Sequence, residues 1–314
     1  MITAIPTQEK TPRRARFKRD QSVALALQER DKEIIRQVHK HRFLTSEHIG
    51  ALVDSSQVRV LRRLHKLYHA GFLDRPKAQL LRLGNCKMVY ALGNEGAALL
   101  SSEYDLPLPS VDWTTKNREA KGLFIEHTLM VSNLLVAVQL AVRKVKGVEY
   151  IESDNIVARR PVARQGSEKQ LSWKVRVSDH GRDYSLSVVP DAAFGLRFTE
   201  TGETAYFFVE CDRSTMPIQR SNLNRSSFAK KLLGYYESWK QRVFRAEFNF
   251  EKPRVLTLTI SEGRIKSMVE ANRTLDSKGE GFGFFLFAPE QVINLDKAEE
   301  LLGKVWTNVR GEKV

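Results

Sequence analysis

The pattern of apolar and polar positions near the start of the chain predicts helices followed by a short sheet. Three runs with apolar residues three or four positions apart begin near residues 30, 46 and 57. Thr45 is well placed as the N-cap of the second run. Two short apolar runs follow, at residues 72–73 and 88–92, with a basic and turn-rich loop between them. This order predicts a winged helix-turn-helix domain over residues 30–105.

A second pattern begins after segment 106–115, whose two prolines indicate a linker. Residues 116–145 are apolar nearly all round in their middle, which predicts a long helix buried between layers. Beyond it we expect three strands, then a helix, a strand, a helix and a strand. For residues 116–314 this order predicts an α/β/α domain, in which helices cover both faces of a mixed sheet. The fold class of the chain is therefore α+β or α/β.

The charge of the chain indicates what these domains bind. The formal net charge is +14, from 51 Lys and Arg against 37 Asp and Glu. Such an excess favours a polyanionic partner, most simply double-stranded DNA. Residues 1–29 are basic with little to pack, so we predict a basic flexible arm. No apolar run approaches about 18 residues, and the two cysteines lack metal or disulfide spacing, so we expect a cytoplasmic protein without a membrane span.

The third predicted helix is the candidate for reading DNA. In a winged helix this element lies in the major groove, where its side chains reach base edges and phosphates. The loop between the two short strands reaches the neighbouring backbone. The candidate contacts, first on the helix and then on the wing, are Gln57, Arg59, Arg62, Arg63, Lys66, Arg75, Lys77, Arg82 and Lys87. The alternatives are a solvated cationic helix, or a winged helix that contacts protein.

Carboxylates mark the edge of the predicted sheet in the second domain. Two β-rich runs flank a turn that contains Gly202, which predicts a hairpin. Asp191 comes directly after Pro190 in the first run. Glu210 and Asp212, two residues apart, share one face at the end of the second run. Strand pairing brings Asp191 close to that face. Three converging carboxylates need a cation or a basic group to neutralise them, so this is the best candidate for a chemical site.

The element order and these acids resemble the restriction-endonuclease-like fold of the PD-(D/E)xK nucleases. The matching residues are Pro190-Asp191 and Glu210-x-Asp212, with Glu126 as the extra acid on the first helix. The resemblance implies that Asp191, Glu210 and Glu126 hold Mg²⁺ or Mn²⁺ for hydrolysis of a phosphodiester.

The lysine of that nuclease motif is displaced in this chain. It normally follows the Glu by two residues, where this sequence has Asp212. Lys231 or Lys230 on the following predicted helix is the candidate replacement. The catalytic residues implied by the resemblance are therefore Asp191, Glu210, Asp212 and Lys231, and cleavage stays an open question because the usual cation is missing.

A further resemblance covers most of residues 30–240. The strings are R-D-K-E-I-I-R-Q-V-H-K-H-R-F-L-T-S-E-H-I, V-L-R-R-L-H-K-L-Y-H-A-G-F-L-D-R, M-V-Y-A-L-G-N-E-G, V-V-P-D-A-A-F, F-F-V-E-C-D-R-S-T and K-K-L-L-G-Y-Y. In this combination they are similar to the replication-relaxation family. The resemblance implies a protein carried by a plasmid or other mobile element, acting in the initiation of its replication or in its transfer.

Three hypotheses about function stay open. The first is a DNA-binding protein of a mobile element whose nuclease-like domain grips DNA or a partner without cutting. The second is a metal-dependent endonuclease that nicks or cleaves DNA and is targeted by its winged helix. The third is a transcriptional regulator with a C-terminal dimerisation domain. Replication or mobilisation proteins of the same element and a second copy of the chain are the further candidate partners.

Overall fold

The computed structural model describes residues 15–20, 22–81, 87–106, 108–161, 171–179, 181–220, 225–276 and 278–314. By their contacts the residues fall into two compact units, Met1–Ser132 and Asn133–Val314. The division falls inside the longest helix. The segment 106–115, predicted as a linker, lies within the first unit, and the predicted domain boundaries stay predictions.

The first unit is built mainly from helices whose apolar stripes face one core. Its helices are α1 Glu29–His41, α2 Ser46–Leu52, α3 Gln57–His69, α4 Asn94–Tyr104 and α5 Trp113–Glu119, and α6 Gly122–Lys144 begins in it. The hydroxyl of Thr45 accepts a hydrogen bond from the amide of His48 at 3.1 Å, so the predicted N-cap of α2 is present.

A small antiparallel sheet accompanies these helices. Strands β1 Leu44–Thr45, β2 Leu73–Asp74 and β3 Val89–Leu92 pair in the order β1-β3-β2. The two apolar runs expected as strands are β2 and β3, and β1 is an addition that the sequence pattern did not indicate. The residues of β3 are all buried, which explains why this strand reads as an unbroken apolar run.

Part of the predicted arm packs on the first unit. Ala15–Phe17 form a short 3₁₀-helix, and the guanidinium of Arg19 donates to the carbonyl of Tyr68 and to Oδ1 of Asp74, the latter at 3.2 Å. Arg19 also lies over the ring of Tyr68. Residues 1–14 lie outside the described residues, so the flexible arm stays a prediction, while Arg19 of segment 15–20 is held by Tyr68 and Asp74.

The second unit is organised around a mixed sheet of five strands. The strands are β4 Val148–Ile151, β7 Ala192–Phe198, β8 Thr204–Asp212, β9 Arg254–Thr259 and β10 Phe285–Pro289, in the order β10-β9-β8-β7-β4. Strands β8, β9 and β10 run parallel, whereas β7 is antiparallel to both β8 and β4. The predicted hairpin is confirmed: it joins β7 and β8, and its turn holds Gly202 at a φ of +71°.

Residues 156–180 are basic, with Trp173 among the cations, a pattern typical either of a loop or hairpin that contacts nucleic acid or of a solvated insertion. In the structure Trp173–Asp179 forms β5, which pairs with β6 Arg182–Val188 in a second, two-stranded sheet. The indole of Trp173 is buried and donates to Oγ of Ser238 at 2.7 Å. Trp173 is therefore a core residue and not an aromatic that contacts nucleic acid.

Helices complete the second unit. They are the second part of α6, α7 Ser153–Val157, α8 Phe228–Lys240, α9 Val243–Phe248 and α10 Glu262–Arg273. The hydroxyl of Ser227 accepts from the amide of Lys230 at 3.2 Å, which fixes the start of α8 as the sequence predicts. Phe208 of β8 and Tyr235 of α8 are fully buried in a large aromatic core. The expectation of a mixed α and β architecture with a mixed sheet is confirmed.

Helix α6 has a further property. By length and composition it is apolar enough to cross a membrane, and 56% of its most apolar 18-residue window is buried within the described residues. A core helix of a soluble protein has the same composition. The expectation of a cytoplasmic protein without a membrane span stays a prediction.

Candidate nucleic-acid interface

Helix α3 has one face in the core and one in solvent. Val60, Leu64, Leu67 and Tyr68 are buried at spacings of four, three and one, so they form the stripe that holds the helix on the unit. Val58 and Leu61 point outward, with 60% and 43% of their surfaces exposed. A surface with exposed aliphatic side chains between cations is suited to contact a partner.

Three cations form a row along the outward face of α3. Arg59, Arg62 and Lys66 are exposed, and their spacing of three and four residues places them on one side of the helix. The helix contains no Asp or Glu to neutralise them. Gln57 is exposed at the start of the same helix, above Gly50 of α2. All four predicted contacts are therefore exposed, and the three cations share one side of the helix.

A basic groove borders this row. Its volume is about 860 Å³, and its lining includes Arg16, Lys18, Leu61, His65 and His69. The two histidine Nε2 atoms lie 3.1 Å apart, and the Nδ1 atom of His69 accepts from the amide of Asp20 at 2.7 Å. The groove therefore places the cations Arg16 and Lys18, together with Asp20, beside the histidines of α3.

Arg63 and Arg75, also predicted as DNA contacts, have hydrogen-bond partners within the first unit. Arg63 donates through Nε to the fully buried carboxylate of Asp31 at 2.8 Å and also to the carbonyl of Ala26 at 3.0 Å. Arg75 is buried, lies 4.0 Å from the ring centre of Tyr68 and donates to the carbonyl of Arg16 at 2.6 Å. The guanidinium group of Arg63 neutralises Asp31, and that of Arg75 packs on Tyr68. Both are therefore engaged by the first unit and are poorly placed to contact a ligand.

The remaining predicted wing residues have different surroundings. Lys77 is exposed at the start of a 3₁₀-helix, Lys77–Leu81. Lys87 is exposed and lies 3.7 Å from a carboxylate oxygen of Glu47. This pair is open to water and therefore weak, so Lys87 stays available. Arg82 lies outside the described residues.

In the second unit, the register of the hairpin brings Asp191 to Glu210. Ala192 pairs with Val209, and the amide of Asp191 donates to the carbonyl of Val209 at 3.0 Å. Oδ2 of Asp191 accepts from the amide of Cys211 at 2.8 Å. The two acids are thus neighbours across the paired strands, as the sequence predicts.

Glu210 lies in a buried polar cluster with two side chains of α8. Its Oε1 accepts from the hydroxyl of Tyr235 at 2.7 Å, and its Oε2 pairs with Nζ of Lys231. Burial raises the pKa of Glu210 to about 7, because Lys231 offsets only part of the cost and Asp191 adds a second negative charge. The same two acids raise the pKa of Lys231 in spite of its burial. Lys231 is therefore the cation that reaches Glu210 from the following helix.

Asp212 has its own partner and does not join Glu210. Its carboxylate forms a two-point pair with Arg264 of α10, at 2.8 Å from Nε and 3.0 Å from the terminal nitrogen. The hydroxyl of Thr259 and the amide of Ser214 also donate to it, at 3.2 and 3.1 Å. Arg264 thus neutralises the acid that stands in the usual lysine position.

The donor set does not fit a Mg²⁺ or Mn²⁺ ion. Among the described residues no group of three or more His, Cys, Asp or Glu side chains could hold a metal. The oxygens of Glu210 and Asp212 already accept hydrogen bonds from protein groups. The carboxylates of Glu210 and Asp212 are therefore engaged by protein groups and not arranged as ligands of a metal ion.

Comparison with known protein families decides the identity of the chain. The sequence profile of the replication-relaxation family matches residues 35–250, more than half of the chain. The chain belongs to the replication-relaxation family. The match covers α3 of the first unit as well as Asp191, Glu210 and Lys231 of the second. Searches among curated proteins and among solved structures found no significant match.

In this member of the family, the sequence pattern does not indicate the surroundings of three residues of the second unit. Arg264 lies 52 positions from Asp212, and nothing in the local pattern connects the two. The apolar spacing from Phe228 to Trp239 predicts buried positions on one face of a helix, and nothing in it indicates that the hydroxyl of Tyr235 reaches Glu210. The same spacing predicts that Trp239 is buried, but 45% of it is exposed. The helix ends at Lys240, so Trp239 sits in its last turn, where helical periodicity no longer guarantees burial.

Proposed function

We propose that the protein binds double-stranded DNA through the outward face of α3, and that its first unit acts as a winged helix-turn-helix domain. The observation that supports this is the row of Arg59, Arg62 and Lys66 on a helix without acidic residues. Helices packed with a three-stranded antiparallel sheet are the arrangement in which such a helix enters the major groove. Lys77 and Lys87 are the candidate backbone contacts of the wing.

The second unit is proposed to be a restriction-endonuclease-like domain that supports DNA or partner binding without cutting. Its mixed sheet, with helices and the acids Asp191 and Glu210 at one strand end, supports the assignment of the fold. The pairing of Asp212 with Arg264 supports the loss of cleavage. The position at which the nuclease motif has its lysine is held here by an acid, and Arg264 neutralises that acid.

Membership of the replication-relaxation family supports a role in the replication or transfer of a plasmid or other mobile element. Such a role needs recognition of a defined DNA segment, and the first unit offers the surface for it. Replication or mobilisation proteins of the same element, or a second copy of the chain, are the proposed protein partners.

The experiment is duplex binding by fluorescence anisotropy at several salt concentrations. Arg59→Ala and Arg62→Ala should each weaken binding, by about 1–3 kcal/mol for a base contact, or with a decrease of about 0.9 in the salt slope for a phosphate contact. Arg118→Ala is the matched control, because Arg118 is an exposed cation of the first unit on α5. Unchanged affinity in both α3 variants would refute the proposal.

Cleavage is tested separately with supercoiled plasmid that carries the element's origin. We expect no open circles after incubation with the protein and Mg²⁺ or Mn²⁺. Open circles that Glu210→Ala abolishes would make the protein an endonuclease. Either result leaves the duplex-binding proposal intact, because the two activities are assigned to different units.

A further inference from the structure

The end of helix α8 in the second unit carries an exposed tryptophan. Trp239 has 45% of its surface exposed, whereas Trp113, Trp173 and Trp306 are at most 7% exposed. Burying a tryptophan contributes more than burying almost any other side chain, so its exposure in the last turn of a packed helix calls for a reason.

Trp239 is the outer member of a cluster of rings. Tyr236 stacks on Phe282 with ring centres 4.1 Å apart and planes 21° from parallel. Trp239 lies 6.1 Å from Tyr236 and 6.5 Å from Phe282, with planes 31° and 41° from theirs. Phe284 continues the stack beyond Phe282, at 6.1 Å. Because the rings behind it are packed on each other, Trp239 is supported from within the unit and presents an open surface.

Cations surround this ring cluster. Two neighbouring depressions of about 360 and 330 Å³ share Trp239 in their lining. The exposed cations that line one or both are Lys240, Arg242, Arg245, Lys252 and Arg254.

The acids near the ring cluster are already neutralised. Glu251 is paired with Arg245 at 3.0 Å, and Glu237 with Lys240 at 3.5 Å. Among the described residues Arg242, Lys252 and Arg254 form no ion pair with a carboxylate. The surface around Trp239 is therefore positively charged overall.

From this surface we infer that the second unit binds single-stranded nucleic acid, with an unpaired base stacked on Trp239 and the backbone held by Arg242, Lys252 and Arg254. A stacking ring with cations at its sides is the arrangement that recognises unpaired bases, because every base has a flat face and every linkage carries a negative charge. A double helix keeps its bases stacked inside and offers no free base face to Trp239.

This surface is separate from the cluster at Glu210. Strands β8 and β9 are parallel, and Arg254, the first residue of β9, pairs with Phe207, whereas Thr257 pairs with Glu210 three residues further along. Lys231 reaches Glu210 from the first turn of α8, and Trp239 lies in its last turn. The ring cluster and the acids therefore lie towards opposite ends of the same strands.

Tryptophan fluorescence tests the inference directly, because Trp239 is the exposed tryptophan of the chain. We expect an oligothymidylate of about 16 nucleotides, the upper end of known site sizes, to quench the emission of the full-length protein in a saturable way. Trp239→Phe should remove this quenching while leaving the thermal midpoint unchanged. Saturable binding with no quenching would overturn the stacking of a base on Trp239.

Affinity measurements on variants complete the test. Trp239→Ala should weaken binding of the oligothymidylate by about 5- to 150-fold, the loss expected for one stacked base, and change duplex affinity less than twofold. Arg242→Glu and Lys252→Glu should weaken it as well, whereas Lys266→Glu, an exposed cation on α10, should not. Equal effects of Lys266→Glu, or no effect of Trp239→Ala, would overturn the inference.

A parallel series with oligouridylate distinguishes single-stranded DNA from single-stranded RNA as the ligand. Equal affinity for both probes assigns the surface to any single strand, and a preference for one of them assigns it to DNA or to RNA. Failure of both probes to bind would overturn the inference and would leave an interface with protein as the explanation of the exposed ring. None of these results bears on duplex binding by α3, which the first unit performs.

Discussion

Glu210 offers a quantitative test of the buried cluster in the second unit. Burial raises the pKa of its carboxyl from 4.5 to about 7, while the group regains its ordinary value when the chain unfolds. Between these two values the folded protein binds more protons than the unfolded chain. The free energy of unfolding must therefore fall as the pH rises from about 4.5 to 7.

The size of the effect follows from the shift. At 1.36 kcal/mol per pKa unit, the shift corresponds to a loss of about 3 kcal/mol across this window. The perturbation is Glu210→Gln, which keeps an oxygen to accept from the Tyr235 hydroxyl but cannot lose a proton. The free energy of unfolding of the variant should therefore not show this fall. Between about pH 4.5 and 8 its difference from the wild-type value should change by about 3 kcal/mol in favour of the variant.

The assay is urea unfolding followed by tryptophan fluorescence at several pH values. Three of the four tryptophans, Trp173, Trp239 and Trp306, belong to the second unit, so the signal reports mainly on it. Glu203→Gln on the exposed hairpin turn is the control and should follow the wild type throughout. Parallel curves for the wild type and Glu210→Gln would refute the account of this cluster.

Three further predictions concern two buried ion pairs and the binding of metal ions. Arg264→Ala leaves the carboxylate of Asp212, which is 6% exposed, without its cation, and should cost about 3–5 kcal/mol in urea unfolding. Arg63→Ala should destabilise the first unit by a similar amount, because Asp31 is fully buried, and a variant as stable as the wild type would restore Arg63 to the DNA contacts. Millimolar Mn²⁺ should give no saturable heat in calorimetry, and binding that Asp191→Ala abolishes would contradict the proposed loss of the metal site.

The sequence carried enough information for elements with a regular period. The apolar stripe of α3, the N-caps Thr45 and Ser227 and the hairpin around Gly202 all depend on local spacing or on one residue's conformational preference. The meeting of Asp191 with Glu210 also followed, because pairing across a hairpin is set by the position of its turn. Local patterns therefore predicted both the outline of the fold and the acidic pair.

Contacts between distant segments could not be predicted in the same way. The sequence pattern does not distinguish Arg59 from Arg63, since both are arginines of one predicted helix. Only the position of Asp31 on α1 shows that Arg63 pairs with a carboxylate within the unit. The same applies to Arg75, which residues 15–20 help to bury. Strand β5 is different, because its sequence W-K-V-R-V-S-D alternates apolar and polar residues with a period of two. That alternation predicts a strand, although the stretch is also rich in basic residues.

The most direct test of the proposed DNA-binding face replaces its whole cationic row. Arg59, Arg62 and Lys66 are changed together to alanine, and duplex affinity is measured by anisotropy as a function of salt. If each cation contacts a phosphate, the slope of log K against log salt should fall by about 0.9 for each, and the affinity should drop at every salt concentration. A triple variant with the slope and affinity of the wild type would contradict the proposal that α3 is the DNA-binding element.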